Sequence, residues 1–475
     1  MEQKSKDKVY AVVHSESHWI PAGVPGIAWN ALLAAWIAFA AQTLIKIAVF
    51  VIQPIYAEEF GLSAFVVLLF PMLFTFLQAP LSPTLSHRTD RLGGGFSRRH
   101  MIILVSMLYA LIACLIAFKS ISSSAIMFMV LVILCALLLG PGEPLVCAMA
   151  ADWFPMEHRG FALGFHHTGY PWGSFLGGLA IAYMLSLWGN ENWRFTFLIL
   201  TLPTLIVAIW FQRTITLKNQ HRLIKESAAA GFHTSVADEK LPSEIGVQQK
   251  KLSMGEAIKL TLGNPTQLTM VISGFFICGS YWVLAGFLPL YIYYIGKYTA
   301  AQTAAYAVFF TITGGLGQII WGGLSDKIGR KLSFIVIFAW YVVGAYFLKE
   351  FALTSLFALV ITQLFLGCAT NAPYPIYYAV VYDVADRRIK GLGFAFVDVA
   401  FYAGALLLLL TGGLIEWGGG KNSPTGYYWV IYMSMGIYAL NIFLVLFFSR
   451  ETKGWFYKKD WALVSRATSN VPEIS

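Results

Sequence analysis

Twelve apolar runs of about 20 residues each dominate the chain, and each is long enough to cross a hydrocarbon core of about 30 Å as a helix. They fall near 28–53, 62–84, 101–118, 124–150, 160–187, 194–212, 267–295, 302–322, 332–349, 353–380, 391–415 and 427–448 of 475 residues. No water enters hydrocarbon to satisfy backbone N–H and C=O groups, so such runs must be helices that satisfy their own. The expected fold class is all-α integral membrane, with twelve transmembrane helices. Charged residues make up 12% of the chain and hydrophobic ones 58%, against roughly 25% charged in soluble proteins. A water-soluble protein is excluded.

The formal net charge of +9 would suit a nucleic-acid partner, but its distribution points to a bilayer. With the N-terminus inside, the inner loops and tails hold 27 of the 33 Lys and Arg. The outer loops hold five (Lys119, Arg194, Lys297, Lys349 and Lys421), and one lies within a span. This is the positive-inside asymmetry, and it places both tails, 1–27 and 449–475, in the cytoplasm. The expected location is a bacterial inner membrane. Lys4, Lys6 and Lys8 lie in a polar start without a cleavable signal. Cys114, Cys135, Cys147, Cys278 and Cys368 all lie in apolar runs without shared spacing, and they read as packing rather than disulfides or metal ligands. One long polar stretch, 213–266, divides two six-helix halves, 28–212 and 267–448. It reads as a flexible cytoplasmic tether with a short amphipathic helix near 253–262.

GGLSDKIGRK, over 322–331, joins two apolar runs. Gly322 allows close helix approach, Asp326 can pair with Arg330 or with a helix N-terminus, and Lys327, Arg330 and Lys331 anchor the loop inside. With Gly329 completing the spacing, the string resembles the cytoplasmic loop motif of major facilitator superfamily transporters. Asp90 and Arg91, followed by Arg98 and Arg99, form a degenerate copy in the first half, as expected for halves related by an axis along the membrane normal. The stretch GPGEPLVCAMAADWFPMEHRGFALGFHHTGYPWGSFLGG, over 140–178, is similar to spans four and five of the anion:cation symporter branch. Lys46, then Pro54 and Glu59-Phe60-Gly61-Leu62-Ser63, looks like that branch's first span. Arg388-x-x-Gly-Leu-Gly and Glu451-Thr452-Lys453-Gly454 resemble the metabolite:proton symporter branch.

A charge within a span costs about 2.5–3.5 kcal/mol on insertion scales, so each one asks for a reason. Lys46 has Gln42 one turn away on the same face. It would either offer a fixed positive charge to an anion in a central cavity or snorkel about 12 Å to the outer interface; the resemblance favours the cavity, because the family places a basic residue there. Glu143 lies too deep in span four for a short side chain to reach water. It is the first candidate for proton coupling, against a structural carboxyl bonded at the Gly140-Pro141 and Pro144 kinks. Asp398, one turn before Tyr402, is a second coupling or substrate group, or a partner for a cytoplasmic base. His166 and His167 point about 100° apart, and either relays a proton or bonds a neighbouring helix. Tyr281, Trp282, Asn371 and Tyr374, among Gly and Pro that permit bends, would line the opposite wall with Ser280; each could equally face lipid.

The resemblance implies a monomeric secondary active transporter that takes up a small organic solute with protons by alternating access, Lys46 meeting an anionic or carboxylate substrate. No cofactor is expected, since a proton gradient would drive it. The alternative is a proton-antiport exporter of drugs or metabolites, to which Gly169, Gly173, Gly177 and Gly178 lend a partial glycine motif. No nucleophile–base pair, metal spacing or phosphate loop marks an enzyme.

Overall fold

The computed structural model describes residues 21–81, 85, 95–155, 158–234, 236, 254–384 and 390–455. The first crossing is α1 (Gly26–Val51), prolonged by α2 (Gln53–Glu59); the second is α3 (Ala64–Phe76) and the third α4 (Gly95–Ile116). The fourth is divided into α5 (Ala125–Leu139) and α6 (Gly142–Trp153), and the fifth into α7 (Arg159–His167) and α8 (Gly169–Trp188). The sixth is α9 (Phe195–Thr214), followed outside the crossings by α10 (Leu217–Ala229) and α11 (Met254–Leu262). The seventh is α12 (Pro265–Leu290), ending in a π-turn over Tyr291–Ile295; the eighth pairs α13 (Ala300–Tyr306) with α14 (Phe309–Ile328), and the ninth is α15 (Arg330–Phe351). The tenth pairs α16 (Leu356–Thr370) with α17 (Pro373–Val384), the eleventh α18 (Lys390–Ala403) with α19 (Leu407–Trp417), and the twelfth is α20 (Pro424–Phe448).

Ten of these crossings are long and apolar enough to span a bilayer, counted over the described residues. The other two depart for local reasons. α3 stops at Phe76 rather than continuing to 84, and residues 77–80 form turns. The fifth crossing is interrupted at Thr168 and diluted by glycines. Side-chain caps set several helix starts: Ser63 accepts from Val66 N at 3.4 Å, Ser124 from Met127 N at 3.3 Å, and Ser355 from Ala358 N at 3.1 Å. These bonds satisfy donors that a helix leaves open at its N-terminus.

Lipid tails are as apolar as leucine, so close backbone packing rather than burial from water holds such helices together. The glycines of α8 supply it. A Cβ on Gly173 would lie 2.7 Å from Ala40 O, one on Gly169 2.9 Å from Trp36 O, and one on Gly178 2.8 Å from Ala304 O. The α8 helix therefore lies directly against α1 on one side and α13 on the other.

Within the polar stretch, α10 is a docked helix where the sequence suggests a tether. Gln220, Leu223 and Ser227, spaced three or four apart, are buried, and Leu223 joins the core cluster of Ile27, Trp153, Phe154 and Ile215. Thr216 caps it at 3.1 Å, and Asn219 donates back to Thr214 O at 2.7 Å, closing the end of α9. The helix expected near 253–262 is α11.

Candidate functional site

Lys46 is 5% exposed. Its Nζ donates to Gln78 Oε1 at 3.2 Å and stands 4.7 Å from the Trp282 ring, 5.3 Å from Tyr170 and 5.8 Å from Tyr402. Ring faces attract a cation, most strongly where water is scarce, so this geometry holds the ammonium inward rather than at the interface. Gln78 lies in the turn after α3, and its Nε2 is tied to Phe74 O at 2.8 Å. A Cβ on Gly140 would meet Gln78 O at 1.9 Å. Only glycine at 140 therefore lets that turn reach Lys46.

Glu143 sits in the first turn of α6, directly after the Gly140-Pro141 interruption. Its Oε2 accepts from the Tyr402 hydroxyl at 3.1 Å, and the positive helix end suits a carboxylate. Lys46, His167 and Asp398 are all within its electrostatic reach. Asp398 accepts a hydrogen bond from the Tyr378 hydroxyl, and the Tyr378 ring stacks on His167 at 6.2 Å. Lys46, Tyr402 and Glu143, and beside them His167, Tyr378 and Asp398, thus form a polar chain in two contacting segments carried on α1, α6, α7, α17 and α18. Nearly every member of the site lies within about a turn of a helix interruption: Glu143 and Gln78 as described, Tyr170 after Thr168, Asn371 and Tyr374 at the α16–α17 break, and Tyr402 before the short 3-10 turn over Gly404–Leu406. Interrupted helices belong in a membrane only where they line protein or a cavity.

The other candidates fall around this chain. Tyr281 donates to Tyr170 at 3.2 Å, and its ring contacts those of Trp282 at 5.0 Å and Tyr374 at 6.4 Å. Trp282 Nε1 donates to Phe401 O at 3.2 Å, and the Tyr374 hydroxyl donates to Cys278 Sγ at 3.3 Å. Gln42 is buried against Gly142, where a Cβ would come within 2.6 Å of its Nε2. Asn371 is buried beside Gly314, and both atoms of its amide lack a hydrogen-bond partner. His166 is fully buried and stacked on Phe39 at 4.9 Å, with neither ring nitrogen bonded. No group of three or more His, Cys, Asp or Glu is gathered for a metal ion among the described residues, and the five cysteines are free thiols. Gln78, Tyr170 and Tyr378 are the members that the sequence reading did not single out.

At one end, the loop motif forms a bonded cluster. Arg330 pairs with Asp326 at 2.6 Å and lies 3.8 Å from Asp383 at the end of α17, while Lys453 reaches Asp326 at 2.7 Å. The Glu451 carboxylate, rather than Asp326, caps the start of α15, accepting from Arg330 N at 2.7 Å and Lys331 N at 3.1 Å. Gly329 has φ +118, and a Cβ there would strike Glu451 Oε2 at 2.5 Å. Lys331 Nζ bonds Ser449 O at 3.1 Å. Gly322 faces Pro375, with a would-be Cβ 3.9 Å away, and Lys327 lies in the last turn of α14. Asp90 and Arg91 lie outside the described residues. Their neighbour Arg98 pairs with Asp152 at the end of α6 at 2.7 Å, which repeats the Arg330–Asp383 relationship. At the opposite end, Glu58 accepts from Tyr294 at 2.7 Å and Lys421 at 3.2 Å, Glu416 accepts from Phe65 N at 3.1 Å, and Glu59 pairs with Arg194 at 2.8 Å. Hydrogen bonding from Tyr294, partly opposed by burial, holds the Glu58 carboxyl below its ordinary range.

Comparison with known proteins places the chain in a family. A mouse glucose-6-phosphate exchanger, SLC37A2, is 22% identical over 320 residues, 62% of this chain and 61% of that protein. The Candida albicans major facilitator superfamily multidrug transporter FLU1 is 28% identical over 161 residues, 34% of this chain and 25% of that protein. The chain thus matches less than two thirds of either relative. The inward open structure of the xylose transporter XylE from E. coli superposes with a TM-score of 0.65 at 16% identity, covering 90% of this chain and 97% of that one. The family profile described as Major Facilitator Superfamily matches residues 31–309 and, in an overlapping alignment, 270–469. This chain therefore belongs to the Major Facilitator Superfamily and is a multi-pass membrane transporter.

Proposed function

We propose that the protein is a secondary active transporter that takes up a small organic anion together with protons. Two halves, 28–212 and 267–448, rock about the Lys46 site with both tails in the cytoplasm. The carrying observation is the Tyr402–Glu143 bond at 3.1 Å, formed across the halves while the same tyrosine ring lies beside Lys46. An anion meeting Lys46 and a proton meeting Glu143 would both act on that one contact. A carboxylate that gains a proton loses its pull on the tyrosine hydroxyl, so loading of either species changes what holds the halves together. Asp398 and His167 extend the proton route through Tyr378. In the conformer described, Glu58–Lys421 and Phe65–Glu416 join the halves at the end opposite the loop motif. These contacts support a conformer closed at that end.

The second reading, a proton-antiport exporter of drugs or metabolites, draws on the FLU1 match. The glycines of α8 lend it less, because they pack against α1 and α13. Uptake into proteoliposomes under an inward proton gradient separates the two. Anion-dependent accumulation supports symport, whereas proton leak driven by hydrophobic compounds alone supports the exporter.

A further inference from the structure

We infer that α10 is an interfacial helix whose outward face binds the headgroups of anionic phospholipids, at the end of the bundle that the charge asymmetry assigns to the cytoplasm.

The surface of α10 is divided in three. Gln220, Leu223 and Ser227 are buried, Leu223 among Ile27 of α1, Trp153 of α6 and Ile215 just after α9. The turn that follows is held to the same half. Phe232 lies against Gly23 and meets the His158 ring at 5.5 Å, and Thr234 forms a backbone bridge with Pro155. The helix therefore has a fixed orientation on the first half. Lys218, His221, Arg222 and Lys225, at i, i+3, i+4 and i+7, share the opposite face, and all four are exposed. Arg222 pairs at 2.6 Å with Glu226, the one acid of the helix. Lys218 and Lys225 have no ion pair among the described residues. Three cations against one acid leave a charge of +2 on α10 that the described protein does not match.

The third strip decides what meets that charge. Leu202, Ile206 and Ile209 form an exposed stripe on α9, the kind of surface that acyl chains cover in a membrane. Arg213 prolongs the stripe by one turn and is exposed. Four residues later α10 begins with Leu217, which is 53% exposed. Leu217, Ile224 and Ala228 lie along one edge of α10, between its buried face and its cationic face. This apolar edge continues the lipid-covered stripe of α9. An apolar edge beside a Lys/Arg-rich face is the pattern of a helix lying in the plane of the interface, where phosphate headgroups meet the cations and acyl chains the edge. A soluble acidic partner would account for the charge but not for Leu217.

Hydrogen exchange over residues 217–229 tests this on the purified full chain in nanodiscs of phosphatidylcholine, or of an equal mixture with phosphatidylglycerol. The expected result is severalfold slower exchange in the mixture, an effect lost in about 1 M salt, where screening acts within about 3 Å. Native mass spectrometry should show phosphatidylglycerol retained in preference to phosphatidylcholine. Lys218→Gln/Lys225→Gln should abolish both effects and keep the wild-type melting temperature in phosphatidylcholine, whereas Lys218→Arg/Lys225→Arg should keep both effects. Equal exchange in the two lipids overturns the inference, as does a phosphatidylglycerol effect that survives Lys218→Gln/Lys225→Gln. The salt series on the wild type decides without any variant, since a lipid effect undiminished by salt also overturns it. Protection by soluble polyglutamate equal to that by phosphatidylglycerol would assign the face to an acidic protein and overturn the lipid reading.

Discussion

The Tyr402 hydroxyl donates to the Glu143 carboxylate at 3.1 Å while its ring stands 5.8 Å from the Lys46 ammonium. One side chain on α18 therefore touches both the acid of α6 and the base of α1. A hydrogen bond to a charged group contributes about 1.5–3 kcal/mol, which is large against the few kcal/mol separating carrier conformers.

Tyr402→Phe should keep the ring near Lys46 and remove only the hydroxyl. The expected outcome is retained substrate binding with a pH dependence of transport displaced from wild type. Binding by tryptophan quenching and uptake across a pH series measure the two separately. Loss of binding with an unchanged pH profile would place Tyr402 in substrate contact alone.

Lys46→Ala should raise the half-saturating anion concentration at least tenfold, about 1.4 kcal/mol, and Lys46→Arg should recover part of that loss. Counterflow, which needs no proton gradient, reads the effect. Equal affinity in wild type and Lys46→Ala would remove the ammonium from the anion site.

Gly140→Ala should destabilise the protein by about 1–3 kcal/mol, because the added Cβ would fall 1.9 Å from Gln78 O. The turn must retreat and carry Gln78 away from Lys46. A lower melting temperature in detergent together with weaker anion binding is expected. A Gly164→Ala control, where a Cβ meets nothing within 4 Å, should leave both unchanged.

The Glu58 contact should weaken in acid. Its carboxyl lies below the ordinary range because Tyr294 donates to it, with Lys421 adding to the effect against partial burial. A depressed carboxyl stabilises the folded contact above its ordinary value and loses that contribution as pH falls through the lowered one. A fluorescence-transfer pair across this end should therefore report opening below about pH 4, from the ordinary carboxylate value. Glu58→Gln should already be open at neutral pH and insensitive to acid.

Much of the fold was legible because hydrocarbon leaves one option for an apolar run of about 20 residues. Lys46, Glu143 and Asp398 could be singled out because an intramembrane charge is costly, and Pro141 and Pro373 already marked where helices break. Tyr170 and Tyr378 carried no such signal, since a tyrosine in a span faces lipid as readily as protein, and only the packing of α8 and α17 decides which. Gln78 was hidden for a different reason. The apolar run continues to 84 in the sequence, and it is contact with Gly140, a residue 62 positions later, that accompanies the turn at 77–80. The docking of α10 was legible in its spacing of Gln220, Leu223 and Ser227, but its charges suggested a solvated linker.

The most direct test is charge movement on a solid-supported membrane under an inward proton gradient, comparing wild type with Glu143→Gln. An anion-induced, pH-dependent current in wild type that is lost in Glu143→Gln, with counterflow of the same anion retained, is the predicted result. An undiminished, proton-dependent current in Glu143→Gln would contradict the account and move the coupling away from the Tyr402–Glu143 contact.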